Sequence, residues 1–343
     1  MKLQVLLIAY SILSFSFLYA QEDNEIEKIV LQGIEAHDKQ EYSQAINIYK
    51  KALLLDSLSP LVNYEMALSY YAMQDYKKAI QYSDVVFLTE NDMHSLAYLV
   101  KGSSLSDLEE FEAALKTFNQ ALKIDSTYYL NHFNIGLIHL KMNNKNNAEK
   151  SFFEALKDNP AHSSSHYYLT MNSINKEMKI PALLSAYFFL LLEPNTLRAQ
   201  ETLTIIHYLF DENVSKDDKG AININYRAQD DNAPFKAAEL FLGLAVAKKH
   251  TNNDENLSEE EHFCSITTDL FTVLSELVKT DTESDFWHEF YISFYEKLTH
   301  SNHMTTFCEY ITLSQYSEEE KDKWYEENNE KIQNFSIWLE ENF

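Results

Sequence analysis

Apolar side chains return every three or four positions along most of this chain, the spacing that gathers them on one side of an α-helix. Between about residues 26 and 196 the helical segments themselves recur. Small residues stand at Ala45, Ala79, Ala114, Ala148 and Ala182, at steps of 34 or 35. A second track runs through Ala52, Val86, Ala121, Ala155 and Phe189, and a third through Leu53, Phe87, Leu122, Leu156 and Leu190. Asp56-Ser57, Glu90-Asn91, Asp125-Ser126, Asn159-Pro160 and Glu193-Pro194 close the segments. Gly33, Ala67, Gly102, Gly136 and Thr170 lie twelve positions before the first track. A helix pair repeated at this period cannot bury its apolar side alone, so its neighbours must stack on it.

The period and these marks resemble the tetratricopeptide repeat. The stretches EYSQAINIYKKALLLDS and FNIGLIHLKMNNKNNAEKSFFEALKDNP follow its pattern most fully. The resemblance covers five repeats, 26–59, 60–93, 95–128, 129–162 and 163–196. It implies an all-α fold: a right-handed superhelical solenoid of helix pairs, A then B, followed by a smaller helical C-terminal unit. Small residues of the Gly33 and Ala45 kind would let A and B approach, with Tyr49, Phe118 and Phe152 filling space between neighbours. Pro160 and Pro194 end B helices, because proline lacks an amide donor. Pro181 falls in a first turn, where proline is tolerated. The bulky residue usual at position 4 of helix A is replaced by His132 and His166.

The resemblance also implies that A-helix positions 2, 5, 9 and 12 line the concave side of the superhelix. In this chain those positions include Leu61, Tyr64, Leu68, Tyr71, Leu96, Leu99, Leu130, Phe133, Leu137, Leu140, Tyr167 and Met171. The set is apolar and aromatic, without Lys or Arg, which argues against acidic peptide C-termini as ligands. An exposed apolar surface of this size calls for a cover. The cover is either an apolar segment of a protein or peptide partner or the chain's own C-terminal helices.

After Pro194 the period fades. Residues 197–210 read as a sixth A helix with Leu197, Leu203, Ile206 and Leu209 on one side, and 197–231 as that helix plus a linker. Within the linker, Ile222 to Tyr226 alternates apolar and polar residues, as a short strand or an extended link would. Residues 232–343 read as a helical C-terminal domain. Its helices are expected at 233–250, 259–279, 283–299, 303–314 and 318–342, the last broken near Asn328-Asn329. Ser258 with Glu261, and Ser317 with Glu320, have the spacing of capping boxes.

Composition changes the picture at three points. Glycine and proline number five each, which suits helices joined by short loops. The net charge is -25, and the part after residue 196 holds 30 acidic and 12 basic residues. With Arg198 and Arg227 the sole arginines, nucleic acid is excluded as a partner. Finally, Met1-Lys2 precedes an uncharged apolar run from Leu3 to Ala20, and acids follow at once. Residues 1–20 thus read as a signal peptide cut after Ala20. The expected location is periplasmic or secreted, with no membrane insertion after signal removal.

Candidate chemistry is sparse. Cys264 and Cys308 are the two cysteines, and in an oxidising compartment they are a disulfide candidate. Their spacing does not suit zinc. His132, His139 and His166 read as packing residues rather than metal ligands. The glutamates at 259–261 and 318–320 suit helix N-termini. Sequons at Asn213, Asn256 and Asn334 matter only in a host that glycosylates them. No catalytic residues, cofactor or metal are expected. The reading that follows is an exported protein-binding scaffold or adaptor. Its alternatives are an enzyme, or a carrier of a small apolar ligand, with the site in the groove or the C-terminal unit.

Overall fold

The computed structural model describes residues 25–212, 214–217, 221–224, 235–248, 257–278 and 285–343. The expected signal peptide lies outside these residues, as do most of the linker and Asn213 and Asn256. Contacts divide the chain into two units, one ending at Asp158 and the other starting at Asn159. This division falls inside the run of repeats, whereas the sequence pattern changes at 196.

The first unit is four helix pairs. They are α1 (25–38) with α2 (Tyr42–Leu53), α3 (Pro60–Ala72) with α4 (Tyr76–Val86), α5 (His94–Asp107) with α6 (Phe111–Ile124), and α7 (Tyr129–Lys141) with α8 (Lys145–Asp158). A helices of successive pairs touch, α3 with α5 and α5 with α7. The four alanines at 45, 79, 114 and 148 are wholly buried, one in each B helix.

Size is traded between A and B within each pair. Gly33 lies under the ring of Tyr49, Gly102 under Phe118 and Gly136 under Phe152. A β-carbon on Gly136 would stand 2.5 Å from Phe152 Cε1, closer than real contacts allow. The same two positions in the second repeat hold Ala67 and Ser83, and in the fifth Thr170 and Ala186, all buried. The large rings therefore cover glycines of their own pair, and do not merely fill space between neighbouring repeats.

The turn from A to B has one form throughout. Gln40, Gln74, Glu109 and Asn143 have φ of 63°, 61°, 62° and 56°, and Glu177 in the second unit has 58°. The next residue's amide reaches back five positions, as in Glu41 N to Ala36 O and Glu110 N to Leu105 O, both 2.9 Å. This left-handed C-terminal cap satisfies carbonyls the helix leaves open. Glycine is the residue such a φ favours, yet none of the five is glycine.

The second unit begins with the fifth pair, α9 (Ser163–Asn175) and α10 (Lys179–Leu192), then α11 (Leu197–Asp211). Strand β1 (Val214–Lys216) pairs antiparallel with β2 (Ile222–Ile224), Val214 opposite Ile224. The alternating Ile222 run is thus one arm of a two-stranded hairpin, and β1 had no pattern of its own. There follow α12 (Lys236–Lys248), α13 (Glu259–Val278), a π-helical segment Trp287–Ile292, α14 (Ser293–Thr299), α15 (Met304–Ile311), a 3₁₀ turn Leu313–Gln315, α16 (Glu318–Glu327) and α17 (Asn329–Asn342). Both capping boxes form: Glu261 N donates to Ser258 Oγ at 3.1 Å, and Ser317 N to Glu320 Oε2 at 2.8 Å. Of the apolar set expected on one side of α11, Leu203, Ile206 and Leu209 are buried but Leu197 is 80% exposed. Leu197 is the helix's first residue, one position after the Thr196 cap, and lies beyond the reach of the packed turns.

The core of this unit is built on α10. Residues from Lys179 to Leu191 are all buried, an all-round burial that no amphipathic surface helix shows. Elements α11, α12, α15 and the π-helix pack on it. Phe188 sits 5.1 Å from Phe294 and 5.7 Å from Tyr291, and Tyr187 5.1 Å from Phe271, centre to centre. Burying side chains of this kind contributes roughly 1.5–3 kcal/mol each. Three buried tyrosine hydroxyls find partners here. Tyr295 donates to Leu184 O at 2.8 Å, Tyr187 pairs with Thr267 Oγ1 at 2.9 Å, and Tyr291 pairs with His166 Nδ1 at 2.7 Å. Cys264 of α13 and Cys308 of α15 are joined as a disulfide, with Cα atoms 5.5 Å apart.

Candidate binding face

The twelve positions singled out in the sequence share one state: each is half-buried, neither core nor free surface. Leu61, Tyr64, Leu68 and Tyr71 follow one another along α3 and pack against the first apolar cluster, which holds Val62, Met66 and Ala67. Leu96 and Leu99 lie on α5, and Leu130, Phe133, Leu137 and Leu140 on α7. Phe133 approaches Phe152 at 5.9 Å between ring centres. These residues belong to the first unit, on A helices that touch in sequence.

Tyr167 and Met171 lie on α9, in the second unit. Tyr167 packs on Phe189 at 5.3 Å, and the Arg198 guanidinium stands 5.2 Å above its ring. The same guanidinium donates to Ser164 Oγ at 3.3 Å and to Glu193 Oε2 at 2.6 Å. Arginine therefore does reach the inner positions of the fifth repeat, which the positions of the five repeats alone did not indicate. Arg198 stands at position 2 of the sixth A helix, one period after Ser164 and beyond the five repeats whose inner positions were read.

Charged groups border the A-helix face of the first unit. Tyr71 Oη donates to Asp107 Oδ2 at 2.9 Å, and Lys141 Nζ donates to Asp107 Oδ1 at 3.1 Å and Ser106 Oγ at 3.2 Å. These residues stand at positions 12 and 13 of repeats two, three and four, so one rung ties three repeats. Burial, then the bond to Asp107, pushes the Tyr71 hydroxyl above its ordinary value. Tyr64 is pushed up to about 12, mainly by burial and next by the charge of Glu65.

Glu65 itself escaped the sequence reading. It stands at position 6, flanking positions 2 and 9 on the same helix side. Its Oε2 accepts from Tyr49 Oη at 3.4 Å. Burial raises its carboxyl above the usual range, the Tyr49 bond partly opposes this, and the charge of Asp38 adds to the rise. Position 6 reads Leu31, Glu65, Val100, Asn134 and Tyr168, so a single acid in that track was the signal available.

The three histidines expected to pack differ in burial, His166 being buried and His132 and His139 half-buried. His166 is wholly buried, stacked 4.5 Å from Phe188, with Nε2 2.8 Å from Pro160 O. Burial lowers it to about 3, so it is neutral. His132 Nε2 meets Ser126 O at 3.3 Å, and burial lowers His139. Among the described residues no three His, Cys, Asp or Glu side chains gather as a metal site, and no helix is long and apolar enough to cross a membrane.

Residues 96–128 and 131–162 match the family model described as the tetratricopeptide repeat. These are tetratricopeptide repeats. The matched bounds agree with the third and fourth periods read from the sequence. A TPR repeat-containing protein of Methanocaldococcus jannaschii is 29% identical over 124 residues, a match covering 36% of this chain and 21% of that protein. The chain thus spans about a fifth of the length of this relative. Among solved structures, YrrB, described as a TPR protein with an unusual peptide-binding site, is 21% identical. It covers 55% of this chain and 97% of its own, with a TM-score of 0.41. PilF of Pseudomonas aeruginosa is 16% identical, covers 79% of this chain and 98% of its own, and gives a TM-score of 0.47.

Proposed function

We propose that this tetratricopeptide-repeat chain is an exported protein-binding scaffold whose A-helix face in the first unit holds an apolar segment of a partner protein. The observation that carries the reading is the row of half-buried apolar side chains from Leu61 to Leu140, repeated on α3, α5 and α7. A monomer seldom keeps so long a row at a face unless it takes up a ligand. Tyr64, Tyr71 and Phe133 are the anchors, since aromatic rings lose little conformational freedom on binding. The apolar run before Ala20 supports export.

The test is capture from native extract with the full chain and with Phe133→Glu and Leu137→Glu variants. Loss of a captured protein by variants with unchanged helical circular dichroism supports the reading. Capture that the variants leave intact overturns it. Mass analysis of the chain from the exporting cell checks the cut, which is expected to leave Gln21 first.

A further inference from the structure

We propose that the segment taken by this face carries a lysine or arginine among large apolar residues, and that Glu65 receives the cation. The inference rests on the preceding reading that the face binds a protein segment. It adds what that segment must contain.

The charged groups around the face differ in how they are satisfied. Asp107 is neutralised by Lys141. Glu65 and Asp38 pair with no lysine, arginine or histidine among the described residues, and Glu65 has only the neutral hydroxyl of Tyr49. Yet Glu65 is half-buried, with Leu61, Tyr64 and Leu68 on the same helix and Tyr49 beneath it. A carboxylate taken partly out of water without a countercharge is destabilised. The pressure is visible in its raised proton affinity, to which burial contributes first and Asp38 adds. A ligand cation seated there would relieve that cost in the complex alone, the condition under which a buried charge contributes to affinity.

Packing by itself does not demand an acid at this place. The same position holds Leu31, Val100, Asn134 and Tyr168 in the other repeats, so Glu65 is not imposed by the helix-pair geometry. The chain's net charge of -25 draws basic partners at long range, and Glu65 converts that attraction into a local contact. Its apolar surroundings then favour a cation whose neighbours are apolar, against a uniformly basic stretch that would strand further charges on the leucines.

The experiment selects random phage-displayed peptides on the purified full chain and on its Glu65→Gln variant, which keeps the shape and the Tyr49 bond. Affinities of the selected peptides are then read by fluorescence polarisation at low and high salt. The expected result is a wild-type consensus with Lys or Arg beside Leu, Ile or Phe. Binding of those peptides should weaken about 10-fold in Glu65→Gln and become less salt-dependent, the remainder coming from the chain's overall charge. Peptides selected on the variant should keep the apolar residues and lose the basic one. A wild-type consensus without a basic residue, or equal binding by Glu65→Gln, overturns the inference. If those same peptides are lost on Leu137→Glu, the face still binds protein and only the cation is wrong. If Leu137→Glu, folded by circular dichroism, binds them as well as wild type, or no peptide is selected, the underlying reading falls too.

Discussion

The ring of Phe118 lies directly over Gly102, so close that a β-carbon on the glycine would stand 2.6 Å from Cζ. The second repeat meets the same geometric demand with Ala67 and Ser83. One more carbon on the A helix is thus matched by a smaller residue on the B helix. Gly102→Ala should therefore cost about 1–3 kcal/mol, the usual range for overpacking a close-packed site. Gly102→Ala combined with Phe118→Ser should be less destabilised than the sum of the two single changes. Urea unfolding of the four proteins, read as a double-mutant cycle, measures the coupling.

Glu109 sits at φ 62° between α5 and α6, where a side chain crowds the following carbonyl. Glu109→Gly should raise stability by roughly 0.5–1 kcal/mol, and Glu109→Val should lower it by at least as much. Thermal unfolding midpoints decide the sign. A lower midpoint for Glu109→Gly would mean that the unfolded chain gains more freedom than the turn gains relief.

Much of this was legible in the sequence, for a physical reason. Stacked helix pairs repeat their contacts, so one rule is written five times, and the alanine track from Ala45 to Ala182 stands out against any single substitution. The second unit is written once. Its helices were found from capping boxes and apolar spacing, but neither says which helix packs on which. The length of the apolar run in α10, Ile180 to Leu192, was the clue that this B helix is covered on every side. The twelve face positions came from the repeat register. Glu65 and Lys141 did not, because each lies just outside the four inner positions and acts on them from the flank; Arg198 continues the position 2 track from Ser164, but one period beyond the five repeats that were read. The hairpin arm Val214–Lys216 could not be read at all, since three polar and mixed residues carry no period.

His166 is neutral and wholly buried, lowered to about 3 from an unfolded value near 6.5. The unfolded chain takes up a proton that the folded one refuses. Stability from this group is therefore full above pH 6.5 and declines as pH falls toward 3, by about 1.4 kcal/mol for each unit. His166→Gln should lower stability at pH 7, because Tyr291 and Pro160 O lose a fitted partner. It should also flatten the acid limb by about one proton. Denaturant midpoints taken from pH 7 to 4 measure both effects. An acid limb unchanged in the variant would assign it to other groups.

Cys264 and Cys308 join α13 to α15 across 44 positions of chain. Closing a loop of that length removes about 4 kcal/mol of unfolded-state freedom on the chain-entropy view. Reduction, or replacement of both cysteines by alanine, should lower the unfolding midpoint of the second unit and leave the first unit's transition in place. Calorimetry with and without dithiothreitol reads the two transitions separately.

A chain cut after Thr196 keeps all five repeats by sequence but strips α10 of α11 through α15. Phe188, Tyr187 and Leu184 would then face water, and the fragment is expected to aggregate or to lose α9 and α10 to proteolysis. Limited digestion with mass analysis would show this as a protected core ending near Asp158. A soluble, monomeric fragment resistant up to residue 196 would overturn the assignment of α10 to the second unit's core.

The burial of α10 also limits how such a chain can evolve. In an open array the last B helix offers a docking edge, and duplication can append another pair there. Here that edge is sealed into the core of the second unit, so any lengthening has to be inserted upstream of α9. Repeat number can change only by duplications that leave the fifth pair and its aromatic lock intact.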